Sequence, residues 1–212
     1  MYPINLDIKG RFCAVVGGGP IALRKVRSLL QAGARVLLIA PVLTVDLAKL
    51  AATGQIVWQA KKYESGDLKG FFIVICATND PAVNAQAAAE SKREGALVNV
   101  VEPSALSDFS VPAQVQRGDL LLTVSTGGKS PALARQLRRE LEHEFGDTYG
   151  AWLERLAALR REMKFRLENS RQREEFWRQA LDVQVLELVK RGELKRAEAK
   201  IRNAIDSFRS EP

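Results

Sequence analysis

The sequence predicts an α/β fold of the Rossmann type, a doubly wound parallel sheet, and three observations carry that prediction. An apolar run, Cys13-Ala14-Val15-Val16, stops at Gly17-Gly18-Gly19, and a helical pattern begins at once behind it. A second apolar run, Arg35 to Ala40, follows that helix. Strand, glycine turn, helix and strand thus fit within the roughly thirty residues of a βαβ unit. Further on, Phe71-Phe72-Ile73-Val74-Ile75-Cys76 is continuously apolar, as a parallel strand covered on both faces requires. A chain of 212 residues has room for such a domain and a smaller appendage.

The first turn carries the most chemistry. Gly17, Gly19 and Ala22 occupy the small positions of G-x-G-x-x-A, a dinucleotide fingerprint. Gly17 lets the strand turn sharply, Gly19 admits a pyrophosphate against the backbone, and Ala22 lets the helix lie close to the strand. Pro20 suits the first helical position, where its missing N–H costs nothing. The free N–H groups of that turn, at the positive end of the helix dipole, would face phosphates. A bare strand-to-helix turn would look the same in isolation; the βαβ context favours the nucleotide site. The helix is expected from Pro20 to about Ala32, with Ala22, Val26, Leu29 and Leu30 on one face and Gly33 as its terminator.

The second strand closes at Leu37-Leu38-Ile39-Ala40-Pro41-Val42. No Asp or Glu stands there to hold an adenosine ribose, and no Arg follows to meet a 2′-phosphate. The choice between NAD and NADP is therefore open on these residues, and backbone around Pro41 and Val42 would have to serve. A short helix over Leu43 to Thr53 and a strand over Gln55 to Gln59 come next. The long apolar strand ends in Ala77-Thr78-Asn79-Asp80, polar residues at a strand's carboxyl end, where open α/β sheets bind ligands. Asn79 and Asp80 also suit capping of a helix that starts at Pro81. That helix, to Glu94, and a strand from Ala96 to Val101 complete the doubly wound pattern, and Glu102-Pro103 and Asp108-Phe109 follow.

From there the pattern changes. Phe109 to Gln116 and Asp119 to Ser125 read as strands joined at Gln116-Arg117-Gly118-Asp119. Helices are expected over Pro131 to Phe145, about Thr148 to Asn169, Arg171 to Arg191, and Glu193 to Phe208, all dense in Arg, Lys and Glu. The domain boundary falls near Ala113. Between hairpin and helix lies Ser125-Thr126-Gly127-Gly128-Lys129-Ser130-Pro131. A P-loop is excluded, because the glycine it needs five residues before Gly128 is Thr123. The loop still has the parts of an anion site: flexible glycines, Ser130 as N-cap, Pro131 at N1, and Lys129 beside exposed N–H groups. Arg135, Arg138 and Arg139 follow on the helix. A plain surface helix with a capping serine accounts for these residues equally well.

No stretch approaches the roughly 18 apolar residues of a membrane span, and Met1 to Gly10 lacks a signal-peptide pattern. A cytoplasmic protein is expected. Cys13 and Cys76 both lie in apolar strand runs, so buried reduced thiols are expected, with no disulfide and no metal site. The net charge of +7 points to an anionic partner, either nucleic acid or a small polycarboxylate. Intermixed acids and the lack of a recognition motif speak against nucleic acid. His143, the only histidine, lies between Glu142 and Glu144 on a helix, an expected surface position.

Taken together, these motifs resemble the precorrin-2 dehydrogenase family, which includes the N-terminal module of siroheme synthase. The matching residues are Gly17-Gly18-Gly19-Pro20-Ile21-Ala22 with Arg24-Lys25, Ala77-Thr78-Asn79-Asp80, Asn99-Val100-Val101-Glu102, Asp108-Phe109 with Pro112, and Ser125 to Pro131. They run collinearly from about Ile4 to about Glu142. The resemblance implies an NAD-binding Rossmann domain (1–113), a dimerisation segment of hairpin and helix (114–147), a helical C-terminal domain (148–212), and a homodimer. It implies dehydrogenation of precorrin-2 to sirohydrochlorin with NAD, and in some members insertion of ferrous iron. By the same resemblance the cofactor contacts are Gly17, Gly18, Gly19, Pro20, Ile21, Pro41, Val42, Thr78 and Asn79. The substrate contacts are Ser125, Thr126, Gly127, Lys129 and Arg135, with Thr126 standing where the family has an implicated serine. The family's catalytic aspartate is Glu102 here, one methylene longer. Glu102 is the expected base, with Asp108 as alternate. A dinucleotide-sensing module without chemistry is the competing reading.

Overall fold

The computed structural model describes residues 2–167 and 169–208. The ends of the expected first and third domains, Met1 and 209–212, and Glu168 within the helix expected to reach Asn169, lie outside the described residues. The chain divides into two compact units, one ending at Val111 and one beginning at Pro112.

The first unit alternates strand and helix: β1 (Phe12–Val16), α1 (Pro20–Gln31), β2 (Arg35–Ile39), α2 (Val45–Ala52), β3 (Val57–Gln59), β4 (Ile73–Cys76), α3 (Pro81–Arg93) and β5 (Leu97–Val100). The five strands form one parallel sheet in the order β3-β2-β1-β4-β5. Side chains of a strand alternate between faces, and β1 shows the result. Cys13 and Val15 join a core with Ala22, Val26, Val36, Leu38 and Leu47, while Ala14 and Val16 join a second with Leu68, Val74, Ala87 and Val98. Both faces are thus covered, as the continuous apolar runs required. The third strand begins two residues later than expected. Gly54 N–H and Gln55 N–H donate back to the Ala51 and Leu50 carbonyls, so these residues finish α2 before pairing can start.

The second unit opens with a hairpin, β6 (Ala113–Arg117) and β7 (Leu120–Val124), paired antiparallel with Val115 opposite Leu122. Its first strand was expected from Phe109, but Pro112 has no N–H to donate and the Phe109 carbonyl accepts from Asn99 Nδ2 at 2.9 Å. The turn sits one residue later than expected, because Arg117 pairs with Leu120 and Gly118 takes φ +57°. Five helices follow: α4 (Pro131–Glu144), α5 (Thr148–Arg166), α6 (Ser170–Ala180), α7 (Val183–Lys190) and α8 (Leu194–Phe208). Their core is built on Trp152, Leu159, Met163, Phe176, Val189 and Ile201. The single helix expected over Arg171 to Arg191 is two, broken where Asp182 accepts from Val185 N–H at 2.8 Å as the N-cap of α7. Among the described residues no helix is long and apolar enough to cross a membrane.

Candidate functional site

The strand order reverses between β1 and β4, whose Val16 and Cys76 are register partners. A crevice at the carboxyl ends of the strands forms at such a switch point. The three glycines lie there, and each meets different surroundings. A Cβ on Gly17 (φ +125°) would stand 2.4 Å from the Ala77 carbonyl oxygen, and one on Gly18 would stand 2.0 Å from that of Val42. A Cβ on Gly19 would meet nothing within 4 Å. Two glycines therefore wedge the turn between the ends of β4 and β2, and the third faces open space.

Gly19 is the N-cap of α1 without a side-chain cap, and Pro20 holds the first turn. Among the described residues no acceptor is recorded for the N–H groups of Ile21 and Ala22. Beside the turn, Ile21 and Val42 are exposed apolar side chains, while Ala22 is fully buried. Open space before Gly19, unpartnered N–H donors and apolar lips fit a dinucleotide, its pyrophosphate on the backbone and its rings against Ile21 and Val42. Trp58, unremarked in the sequence, donates from Nε1 to the Ala40 carbonyl at 2.9 Å and steadies the strand end that carries Pro41 and Val42.

The next two strand ends are tied together by a residue the sequence reading passed over. Asn84, on α3, is 1% exposed. Its Oδ1 accepts from Thr78 N–H (3.2 Å) and Thr78 Oγ1 (2.7 Å), and its Nδ2 donates to the carbonyls of Thr78 (3.2 Å) and Glu102 (2.8 Å). Thr78 and Glu102 are thereby brought together through one amide. Asn79 is exposed, and Asp80 caps α3 by accepting from the Ala82 and Val83 N–H groups. A poor helix former one turn behind that cap was the available signal for Asn84.

The two candidate carboxylates differ. Glu102 is exposed, a cis peptide bond joins it to Pro103, and no side-chain partner is recorded for it among the described residues. Asp108 instead accepts from Val98 N–H at 3.0 Å and pairs with Lys92 at 3.3 Å. Lys25 reaches under the same region, donating to Asn99 Oδ1 at 3.0 Å; burial, then neighbouring Arg24, holds its pKa below the usual lysine value. Cys76 is pushed up to about 12 by burial, and Cys13 to about 11. Both are protonated at neutral pH and inert as nucleophiles. Among the described residues no group of three or more His, Cys, Asp and Glu side chains could hold a metal ion.

In the second unit, the loop from Ser125 to Ser130 is held by its own hydroxyls. Ser130 N–H donates to Thr126 Oγ1, Gly127 N–H to Ser125 Oγ, and Ser130 Oγ caps α4 by accepting from Leu133 N–H. Gly127 and Gly128 take φ +61° and +81°, and Lys129 and Arg135 are exposed.

Three family models match the chain in sequence: a putative NAD(P)-binding model over residues 4–113, the central model of a sirohaem biosynthesis protein over 117–144, and the sirohaem synthase dimerisation region over 148–205. The siroheme synthase of Methylococcus capsulatus is 41% identical over 206 residues, which make up 97% of this chain and 43% of that protein. That of Nitrosococcus oceani is 38% identical over 204 residues, 96% of this chain and 44% of the relative. The chain thus spans less than half the length of these curated relatives. Among solved structures, "SirC, precorrin-2 dehydrogenase" superposes with a TM-score of 0.75 at 34% identity, covering 94% of this chain and 100% of that one.

Proposed function

The chain belongs to the precorrin-2 dehydrogenase family, and from this we propose that it oxidises precorrin-2 to sirohydrochlorin with NAD. The observation that supports the reading best is the glycine turn at the point where the strand order reverses. An open glycine turn at the end of β1 lies at the switch point, and Glu102, with no side-chain partner recorded among the described residues, follows the end of β5, the strand beside β4. Bound NAD supplies the hydride acceptor; the rest falls to the chain. The pair of hydrogens leaves the reduced macrocycle as one hydride and one proton. Glu102 takes the proton as general base, its unpartnered side chain being free to reach a ring carbon. Gly17, Gly18, Gly19, Pro20 and Ile21 hold the pyrophosphate, Pro41 and Val42 the adenosine, and Thr78 and Asn79 the nicotinamide side.

The substrate is a polycarboxylate, which gives a purpose to exposed cations. Ser125, Thr126, Gly127, Lys129 and Arg135 are the proposed contacts for its acid side chains. A homodimer formed through residues matching the dimerisation region, acting in the cytoplasm, completes the reading. Insertion of ferrous iron as a second substrate would release two pyrrole protons, and Glu102, being exposed, would accept them one at a time and pass each to solvent.

An anaerobic absorbance assay with precorrin-2 and NAD tests the proposal. Sirohydrochlorin is the expected product, and adding ferrous iron extends it to siroheme where the chain also chelates. NAD binding with precorrin-2 left unchanged would replace the dehydrogenase by a dinucleotide-sensing module. Glu102→Gln is expected to lower turnover about a hundredfold while leaving NAD affinity within about threefold.

A further inference from the structure

We propose that Asn84 is a positioning residue for this reaction, setting the backbone of Glu102 from the turn that carries Thr78. The inference rests on the dehydrogenase reading above. Asn84 sits in the interior of an alanine-rich helix, where alanine would serve the helix better. Its amide is nevertheless fully used: both acceptor contacts of Oδ1 go to Thr78, and Nδ2 divides between the Thr78 and Glu102 carbonyls. With 1% exposure, water cannot replace any of these bonds. The Glu102 carboxylate has no recorded side-chain partner among the described residues. Its direction is therefore set by its own backbone, and the 2.8 Å bond from Asn84 to the Glu102 carbonyl is a side-chain anchor on that backbone. Asn84 touches neither reacting atoms nor the carboxylate. It acts through the peptide that bears the base, as outer groups do when they orient a reactive side chain. A displacement of about 1 Å in a reacting group costs on the order of a hundredfold in rate.

Asn84→Ala removes the anchor, and Asn84→Asp keeps the acceptor for Thr78 while setting an oxygen against both carbonyls. With the whole chain, precorrin-2 and NAD, each is expected to lower kcat about ten- to a hundredfold. KM for precorrin-2 should stay within about threefold, while KM for NAD rises severalfold as Thr78 loses its anchor. The decisive measurement is the cycle with Glu102→Gln: in that background Asn84→Ala should cost less than about twofold, because the base it orients is gone. Additive losses in an active protein would overturn this proposal alone. So would a fall in NAD affinity without a fall in kcat, or loss of cooperative melting in both Asn84 variants, which would make the residue purely structural. Wild-type turnover in Glu102→Gln would overturn it together with the role of Glu102. An inactive wild type that binds NAD would overturn the dehydrogenase reading and this one with it.

Discussion

Gly18 and Gly19 are adjacent and both lack a side chain, but for different physical reasons. A Cβ at Gly18 would stand 2.0 Å from the Val42 carbonyl oxygen, and at Gly19 it would meet nothing. Gly19 also has φ −86°, which any residue adopts. Gly18→Ala should therefore lower stability by about 1–3 kcal/mol through forced backbone shifts. Gly19→Ala should melt with the wild type and lose about tenfold or more in NAD affinity, its methyl filling the space before the N–H donors. Thermal melts and calorimetric titration with NAD separate the two. Glu90 gives a second residue-level expectation. It is 3% exposed and accepts from Tyr63 O–H and the N–H groups of Gly66 and Leu68. Burial pushes its pKa up, but those three bonds together outweigh burial and hold it below the usual value. Its folded-state pKa is depressed, so its contribution is present above pH 4.5 and is lost as pH falls through the lower folded value. Glu90→Gln should cost about 2 kcal/mol at pH 7, and its gap in urea midpoint from the wild type should close on acidification. The glycines were legible because spacing alone marks them. Asn84 and Glu90 were not, since the bond from Asn84 to Glu102 spans 18 residues and the partners of Glu90 lie 22 to 27 residues away.

Elements show the same division between local and distant signals. β5 is an edge of the sheet, and an open edge presents unpaired N–H and C=O groups. The segment behind it closes that edge: Asp108 N–H donates to the Val98 carbonyl, Val98 N–H donates to Asp108 Oδ2, and Val100 N–H donates to Ser107 Oγ. Asp108, the alternate base on sequence grounds, is thus engaged as an edge cover. Asp108→Ala is expected to lose about 1–2 kcal/mol of stability with kcat of the folded enzyme retained, the opposite of Glu102→Gln. Denaturation curves beside turnover read both. Strands β1, β2 and β4 were legible to within about two residues, because burial on both faces leaves an uninterrupted apolar run. The break between α6 and α7 was not. No Gly or Pro interrupts Arg171 to Arg191, and the helix ends because Asp182 finds Val185 N–H and pairs with Lys200 of α8 at 2.6 Å. A helix-starting aspartate inside a charged helical pattern carries no local mark. Asp182→Ala should cost about 1 kcal/mol for the cap, seen as an earlier melt of the whole chain.

At the scale of the molecule, the surplus of +7 is unevenly matched by acids. In the helical unit many cations are answered: Arg155 by Glu198, Arg202 by Glu162 and Glu198, Lys190 by Glu144, Lys200 by Asp182. Lys129 and Arg135, by the hairpin loop, have no recorded ion pair among the described residues, and both are exposed. Paired surface charges contribute little field at a distance, whereas unpaired ones attract an anion until salt screens them. On the proposed function, a polycarboxylate would feel that attraction many times over, and a dinucleotide held mainly by backbone and apolar contacts would feel it weakly. KM for precorrin-2 should therefore rise severalfold as the Debye length shrinks from about 10 Å at 0.1 M salt to about 3 Å at 1 M. KM for NAD should move less. In the doubly neutralised variant, Lys129→Gln with Arg135→Gln, KM for precorrin-2 should start higher at low salt and rise less steeply, while kcat stays near the wild type. Steady-state kinetics across a salt series measure all of these at once. An unchanged salt slope in that variant would move substrate recognition away from the hairpin loop and onto cations elsewhere in the chain.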